Sequence, residues 1–569
     1  MIKVENLSYS FPEKELYKDV SFEIEEGMHC AFIGSNGTGK TTLIDMMLNP
    51  DKYLYDGKIT GLEGKRIGYV KQFEVHDKAC KTTVFDYLNE YFVKLLKETE
   101  DTCAMMAEAE NMDELFEKYQ NLLDEYLALD GEHSSTNIYK ALKDADLFEK
   151  CDLPIKDISG GEFKLVQVIK AMLMKPDLLI MDEPDVFLDF KNLNGLVELI
   201  KTYPKTMLVI THNRFLLNHC FNQILQIENC EVQQFVGNFI EYNLMRLETK
   251  LENRQIEKQQ DEEIEKNEQM VKKLRATATV IDSASRGRQL KARVSYLERL
   301  KMNKIKSPFL ETPVYDIQIE PTESLEEDEV AIKVSDFGVA FEETLLEKVD
   351  FDIKGEEKVA IVGANGTGKT TLLSRIMEVA NQKSKNVESK NGENSNKNFD
   401  GSIEFSPNAM ISILSQTRDD LQESEDAKKM SGGEKNMSQV KEVTSKKPNV
   451  LILDEPTSHL DIYAQESLEK ALKEYNGAVL FVSHDFYTIA TLADRVLLVE
   501  NNSIRQMSNR AFRKMIYSKH FNKDYLLLEQ KKKEVERRIE QHLLKDEFSK
   551  AQKLCDELED ITAEMTEIR

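Results

Sequence analysis

Gly34-Ser35-Asn36-Gly37-Thr38-Gly39-Lys40-Thr41-Thr42 and Gly363-Ala364-Asn365-Gly366-Thr367-Gly368-Lys369-Thr370-Thr371 are one motif written twice in a single chain. Each fits Gly-x-x-x-x-Gly-Lys-Thr, a loop whose glycines let backbone N–H groups approach phosphate oxygens. The helix that follows such a loop adds its positive N-terminal end. Lys40 and Lys369 are placed to reach β- and γ-phosphates, and Thr41 and Thr370 to meet Mg²⁺. One such match arises by chance in a small share of chains. Two in matched contexts do not.

The surroundings also repeat. Ser159-Gly160-Gly161-Glu162 recurs as Ser431-Gly432-Gly433-Glu434, a shift of 272 residues. Met181-Asp182-Glu183-Pro184 recurs as Leu453-Asp454-Glu455-Pro456, and Thr211-His212 as Ser483-His484, both with the same shift of 272. Four motifs in one order, twice, make a duplicated domain. The phosphate loops themselves are 329 residues apart, so the first copy holds 57 more residues between its loop and its Ser-Gly-Gly-Glu. From Gln72 to Ser159 is 87 residues, but from Gln416 to Ser431 only 15. A helical insertion is therefore expected at about residues 85–150 of the first copy, with a curtailed counterpart in the second. The polar stretch Asn381 to Asn398 reads as a disordered surface loop.

Apolar runs such as Leu178–Met181, Met207–Ile210, Val450–Leu453 and Val479–Val482 read as buried parallel strands between helical stretches. The fold class is α/β: two tandem P-loop domains, a long helical-hairpin linker and a C-terminal helical extension. The expected boundaries are 1–242, 243–315, 316–520 and 521–569. Within the linker a turn is expected at Ala276–Ser285.

Asp182 and Asp454 end apolar strands, which suits a contact to Mg²⁺, and Glu183 and Glu455 follow to polarise the attacking water. His212 and His484 each lie 30 residues beyond their Asp, in position to touch a γ-phosphate. The order P-loop, Gln, Ser-Gly-Gly, Asp-Glu, His resembles the ATP-binding-cassette ATPases. The resemblance implies head-to-tail cassettes with each ATP between one P-loop and the other Ser-Gly-Gly. One site then joins Lys40, Thr41, Gln72, Asp182, Glu183 and His212 to Ser431–Glu434. The other joins Lys369, Thr370, Gln416, Asp454, Glu455 and His484 to Ser159–Glu162. Gln72 and Gln416 are further metal candidates, and Phe11 and Phe341 are candidates for stacking on adenine.

Tandem cassettes with a helical linker and no membrane segment resemble the ABC-F branch, whose members bind ribosomes. The resemblance implies a linker hairpin in the tRNA exit site, pointing at the peptidyl-transferase centre and touching rRNA and tRNA. Charge agrees. The chain has 76 Lys and Arg against 102 Asp and Glu, a net −26 that taken alone argues against nucleic acid. Residues 272–304 reverse this with ten basic residues against Asp282 and Glu298. Lys272, Lys273, Arg275, Arg286, Arg288, Lys291 and Arg293 are the candidate RNA contacts.

Seven scattered cysteines without a C-x-x-C pair read as reduced cytosolic thiols. No apolar run nears the roughly 18 residues of a membrane span, and no secretory signal opens the chain. The expectation is a cytoplasmic monomer whose cassettes pair internally.

The copies also differ from the family pattern. Glu183-Pro-Asp-Val-Phe-Leu-Asp189 departs from the usual Pro-Thr-Asn-His-Leu-Asp, which Glu455-Pro-Thr-Ser-His-Leu-Asp461 follows more closely. Asn213 stands where Asp485 follows His484. The polar run after Glu434 predicts a truncated second helical subdomain and a slower first ATP site. The first cassette's departure resembles the antibiotic-resistance type of the branch. General translation regulation, or service as the ATPase subunit of a membrane transporter, are the alternatives.

Overall fold

Leu178–Asp182, Thr206–Ile210 and Ala478–Val482 are strands in which every residue is buried. That pattern belongs to strands covered on both faces. The computed structural model describes all residues except 13, 73–80, 107–112, 187, 279–283, 303–314, 316, 318, 320–323, 341–343, 385–398, 415–437, 439, 441, 444, 459, 521–522 and 569.

The first cassette begins with the antiparallel pair β1 (Ile2–Phe11) and β2 (Lys14–Ile24), then β3 (His29–Gly34) and α1 (Lys40–Leu48). Then come β4 (Asp56–Thr60), β5 (Ile67–Val70) and the helices α2 (Val84–Met106), α3 (Asp113–Ala128) and α4 (Ser134–Asp144). These helices occupy the stretch where the insertion is expected. The cassette closes with α5 (Gly160–Leu173), β6 (Leu178–Asp182), α6 (Phe190–Thr202), β7 (Thr206–Ile210), α7 (Arg214–Cys220), β8 (Gln223–Glu228) and β9 (Glu231–Val236).

Two long helices follow, α8 (Phe239–Ala278) and α9 (Ala284–Met302). The second cassette repeats the first through β10 (Val330–Ala340), β11 (Thr344–Lys354), β12 (Lys358–Gly363), α10 (Lys369–Ser384), β13 (Phe399–Phe405) and β14 (Ile411–Leu414). It continues with β15 (Val450–Asp454), α11 (Ile462–Glu474), β16 (Ala478–Val482), α12 (Phe486–Leu492), β17 (Arg495–Glu500) and β18 (Ser503–Ser508). Helices α13 (Asn509–His520), α14 (Lys523–Leu544) and α15 (Phe548–Ile568) end the chain.

The duplication holds at the level of topology. One six-stranded sheet runs β5-β6-β7-β3-β8-β9 and the other β14-β15-β16-β12-β17-β18. All neighbours are parallel except the last strand of each, which returns antiparallel. Each cassette adds a three-stranded antiparallel sheet, β2-β1-β4 or β11-β10-β13. Cores form where one face of each sheet pair meets the helix after the P-loop, with Phe32, Leu43 and Ile180 in one and Ile361, Leu372 and Ile452 in the other.

The chain divides into two compact units. One is Met1–Val236 with Thr312–Met515, which holds both cassettes; the other is Gly237–Glu311 with Ile516–Arg569. The linker helix starts at Phe239, ahead of the expected boundary at 243, because Asn238 caps it. Asn238 Oδ1 accepts from the backbone N–H of Ile240 and Glu241 at 2.9 and 3.0 Å. Glu241 Oε2 in return accepts the Asn238 N–H at 2.9 Å, completing a capping box. At 40 residues α8 is about 60 Å long. Tyr296 of α9 donates to Glu263 of α8 at 3.0 Å, and the two helices run beside one another.

Candidate active site

Strand order decides where the chemistry sits. β3 lies between β7 and β8, and β12 between β16 and β17, so P-loop, Asp-Glu and His all emerge at the carboxyl ends of neighbouring strands. Ligands in open α/β sheets bind at that edge. Gly37 and Gly39 have φ of 75° and 98°, and Gly366 and Gly368 of 81° and 94°, in the region that side chains disfavour. Glu183 and Glu455 also adopt positive φ, 44° and 48°. Other matched pairs, such as Lys175 and Lys447, share this conformation, so the duplicated backbone carries the strain, of about 1–3 kcal/mol per residue, in both copies. The N–H groups of Glu183 and Glu455 donate to Ile210 O at 2.9 Å and Val482 O at 3.0 Å, which hold the strained turns against the next strand.

In each P-loop the lysine folds back onto its own loop. Lys40 Nζ donates to Gly34 O and Ser35 O at 2.9 and 2.8 Å, and Lys369 Nζ to Gly363 O and Ala364 O at 2.8 and 2.6 Å. Thr38 and Thr367 brace the loops through Ser35 O and Ala364 O. Thr41 donates to Asp182 at 3.0 Å, which sets a hydroxyl and a carboxylate side by side. That all-oxygen pair suits a hard cation such as Mg²⁺. Gln72 Nε2 donates to Glu183 Oε2 at 2.5 Å, while Lys164 holds the Lys71 and Gln72 carbonyls.

The cassettes meet head to tail. A cavity of about 650 Å³ is bounded on one side by the second P-loop, with Lys369, Thr370, Asp454, Glu455 and His484. Ser159, Gly160 and Gly161 of the first cassette face them. Ser159 and Glu162 form a capping box at the start of α5, with Glu162 Oε2 accepting the Ser159 N–H at 2.8 Å. Glu162, expected at the nucleotide, is instead turned back on its own helix end and does not line the cavity.

Two aspartates that carried no role in the sequence reading connect the halves. Asp189 caps α6 with one oxygen and accepts the Asn365 N–H with the other, at 2.9 Å. Asp461 caps α11 and accepts the Asn36 N–H at 3.1 Å. Tyr315 donates to the same Asp461 oxygen at 3.0 Å. The signal was available: both aspartates sit at the 272-residue shift, just ahead of a helix, as N-caps do.

Burial dominates the electrostatics. It pushes Glu183 up to about 7 and Glu455 up to about 8, with the neighbouring Asp185 and Asp182, or Asp454, adding to the effect. Asp182 and Asp454 are raised for the same reason. Burial, then the nearby Lys369 charge, lowers His484 to about 4; His212 is likewise lowered. Both ring nitrogens of His212 are buried without a hydrogen-bond partner among the described residues, as is Glu455 Oε1. Burial also lowers Lys40 and Lys369. Orphaned donors and acceptors around folded-back lysines fit a site completed by a phosphate-bearing ligand.

Phe11 packs edge-on against Tyr9 at 5.3 Å with 45% of its surface exposed. Thr42 and Thr371 lie in the first turn of the helices after the P-loops. Phe341, Gln416, Ser431, Gly432, Gly433 and Glu434 lie outside the described residues, as does most of the expected loop at 381–398. The expected truncation after Glu434 falls largely there too.

These shifts fix a pH dependence. The Glu183 carboxyl keeps its proton up to about pH 7 when folded, against 4.5 for an ordinary Glu. A raised pKa costs nothing below 4.5, and its penalty grows as pH rises to about 7 and then stays constant. Glu183→Gln escapes it. We predict that the nucleotide-free variant resists urea better than the wild type at pH 8, by up to about 3 kcal/mol, with the gap under about 1 kcal/mol at pH 5. Equal midpoints at pH 8 would contradict the burial reading.

Comparison with known proteins gives the family. A family profile described as ABC transporter matches residues 17–186 and 346–425, and a second profile of the same description matches 225–316. Together they cover more than half of the chain. The ribosome protection protein VmlR of Bacillus subtilis is 27% identical, over 90% of this chain and 88% of that protein. The ABC transporter F family member 5 of Arabidopsis thaliana is 27% identical, over 95% and 79%. The energy-dependent translational throttle protein EttA of Mycobacterium tuberculosis is 26% identical, over 86% and 89%. Among solved structures, the RNase-L Inhibitor has a TM-score of 0.51 at 17% identity, covering 91% of this chain and 92% of that one, a likeness of fold. With two ATP-binding cassettes, a paired-helix linker and relatives matched along most of its length, the chain belongs to the ABC-F family of tandem-cassette ATPases.

Proposed function

We propose that this ATPase is a ribosome-binding translation factor whose basic linker touches RNA. The observation that carries the reading is the charge of residues 272–304, ten basic against two acidic in a chain of net −26. Such a patch neutralises RNA phosphates, while the acidic remainder discourages contact elsewhere. Lys272, Lys273 and Arg275 belong to α8, and Arg286, Arg288, Lys291 and Arg293 to α9. The tip between them, 279–283, lies outside the described residues. The names of VmlR and EttA, one a ribosome protection protein and one a translational throttle, support the same direction. Among the described residues no helix is long and apolar enough to cross a membrane. We place the chain in the cytoplasm as a monomer with paired cassettes.

In each site the lysine releases its loop carbonyls to take the β- and γ-phosphates of ATP. Thr41 with Asp182, and Thr370 with Asp454, would hold Mg²⁺, aided by Gln72 and Gln416. Mg²⁺ when bound neutralises phosphate oxygens. Glu183 and Glu455 polarise the attacking water and take its proton, and His212 and His484 meet the γ-phosphate. Ser159, Gly160 and Gly161 close the second site, and Ser431 to Glu434 the first. ATP binds the closed cassettes better than the open ones, so occupancy shifts the population toward closure, and hydrolysis releases it. The linker hairpin occupies the tRNA exit site facing the peptidyl-transferase centre.

The double variant Glu183→Gln, Glu455→Gln, able to close but not to hydrolyse, should sediment with 70S ribosomes when ATP is present. Free protein at the top of the gradient would overturn the ribosome reading. Antibiotic protection is the finer reading, favoured by the departure of Asp185-Val186-Phe187 from the usual pattern. Expression in a sensitive bacterium should then raise the inhibitory concentration of a ribosome-directed drug by about fourfold or more, on the order of 1 kcal/mol in drug binding. Unchanged susceptibility across such drugs would leave general translation control as the function.

A further inference from the structure

The two cassettes are related by a shift of 272 residues, and one corner of their contact breaks that relation. Arg214, two residues after His212, crosses to the second cassette. Its Nη2 donates to Glu469 Oε1 and, at 3.0 Å, to Asp485 Oδ2; its Nη1 donates to Glu469 Oε2 at 3.0 Å. Thr488 adds a hydroxyl to both carboxylates, at 2.7 and 3.0 Å. The Tyr487 ring lies beside the guanidinium at 5.4 Å, and Asn218 donates to the Tyr487 hydroxyl at 2.8 Å. The side chains of Arg214, Glu469 and Asp485 are 12%, 6% and 17% exposed.

The shifted positions read quite differently. Arg214 corresponds to Phe486, Glu469 to Val197, Asp485 to Asn213 and Thr488 to Leu216. Phe486, Val197 and Leu216 are buried, and Phe486 packs on Phe190 at 6.0 Å. One corner is therefore ionic and its counterpart apolar. Asp485 follows His484 directly and also caps α12 through the Tyr487 N–H at 2.8 Å. Asn213 caps α7 in the same way through Phe215 and Leu216, with a neutral amide in place of the carboxylate. Burial alone would raise Asp485, yet the Arg214 charge holds it below the usual carboxylate range.

We propose that Arg214 is a positioning residue for the second ATP site, acting in trans by clamping Asp485 and so fixing the backbone that carries His484. Among the described residues Asn213, which follows His212, meets no such charge: that turn rests on its helix cap and on Thr211, which donates to Asp185 at 2.7 Å and accepts the Asn213 N–H at 3.0 Å. Arg214 itself lies two residues beyond His212, so it is the loss of the Asp485 charge that separates the two sites. A buried ion pair costs most when one member is removed, which makes the effect measurable.

The proposal rests on assigning Glu183 and Glu455 to the two sites, and the test separates the two questions. Single-turnover hydrolysis in the full chain is followed in Glu183→Gln, which reports the second site, and in Glu455→Gln, which reports the first. Asp485→Asn keeps a helix cap, as Asn213 does. It should slow the second site about tenfold and the first by less than about twofold. Amide exchange over 483–488 should quicken by about fivefold or more, with 211–216 unchanged. Arg214→Met, which also frees the turn at 211–216, should slow the second site at least as much, and Arg214→Lys should restore most of that loss. Equal slowing of both sites, or unchanged exchange at 483–488, overturns the proposal. The exchange reading does not depend on which glutamate serves which site, so an error in that assignment shows in the Gln variants by themselves.

Discussion

Each cassette lends one aspartate oxygen to the phosphate loop of the other. Asp189 and Asp461 cap their own helices with Oδ1 and receive the N–H of Asn365 and Asn36 with Oδ2. A hydrogen bond to a charged acceptor contributes about 1.5–3 kcal/mol and fixes direction as well as distance. The consequence is that neither P-loop is set by its own cassette alone. At the second P-loop, the loop, Asp454, Glu455 and Ser159-Gly160-Gly161 line one cavity, to which both cassettes contribute. A nucleotide bound there bears on the contact between cassettes, which is how its binding energy can become a change of shape.

The rest of the site is held away from its relaxed state. Two glutamates carry positive φ, their carboxyls are desolvated, and the lysines that would meet phosphate are folded onto carbonyls. The positive φ and the desolvated carboxyls are costs that the fold carries, and the lysines are the groups that an anionic ligand would draw from their carbonyls. The duplication preserves this arrangement in both copies. It does not preserve the corner at Arg214, where an ionic cluster on one side faces an apolar one on the other. Two sites built on one plan therefore answer to different neighbours.

Much of the fold was legible in the sequence because its signals are local. Buried parallel strands read as unbroken apolar runs such as Leu178–Met181, and the P-loops announce themselves by glycine spacing. The inserted helices followed from counting residues between motifs. What escaped depends on pairs far apart in the chain. Asn36 and Asp461 are 425 residues apart, and no local pattern links them. Asn213 read as a lost acid, whereas in the fold it keeps the cap while the charge is supplied at Arg214 and answered across the contact. Glu162 read as part of a nucleotide site. A Ser followed three residues later by Glu ahead of an apolar helix is also a capping box, and its geometry is that of the cap. The capping box at Asn238 moved the linker's start for the same reason.

The central claim is that each site is composed of both cassettes, and one substitution tests it. Ser159→Arg would fill the space opposite the second P-loop with a side chain too large to admit ATP. In the Glu183→Gln background, where only the second site turns over, it should abolish single-turnover hydrolysis. In the Glu455→Gln background it should leave the remaining turnover within about twofold, well under the 1.4 kcal/mol of a tenfold change. The reverse pattern, with Ser159→Arg silencing the site of its own cassette and sparing the other, would contradict the account.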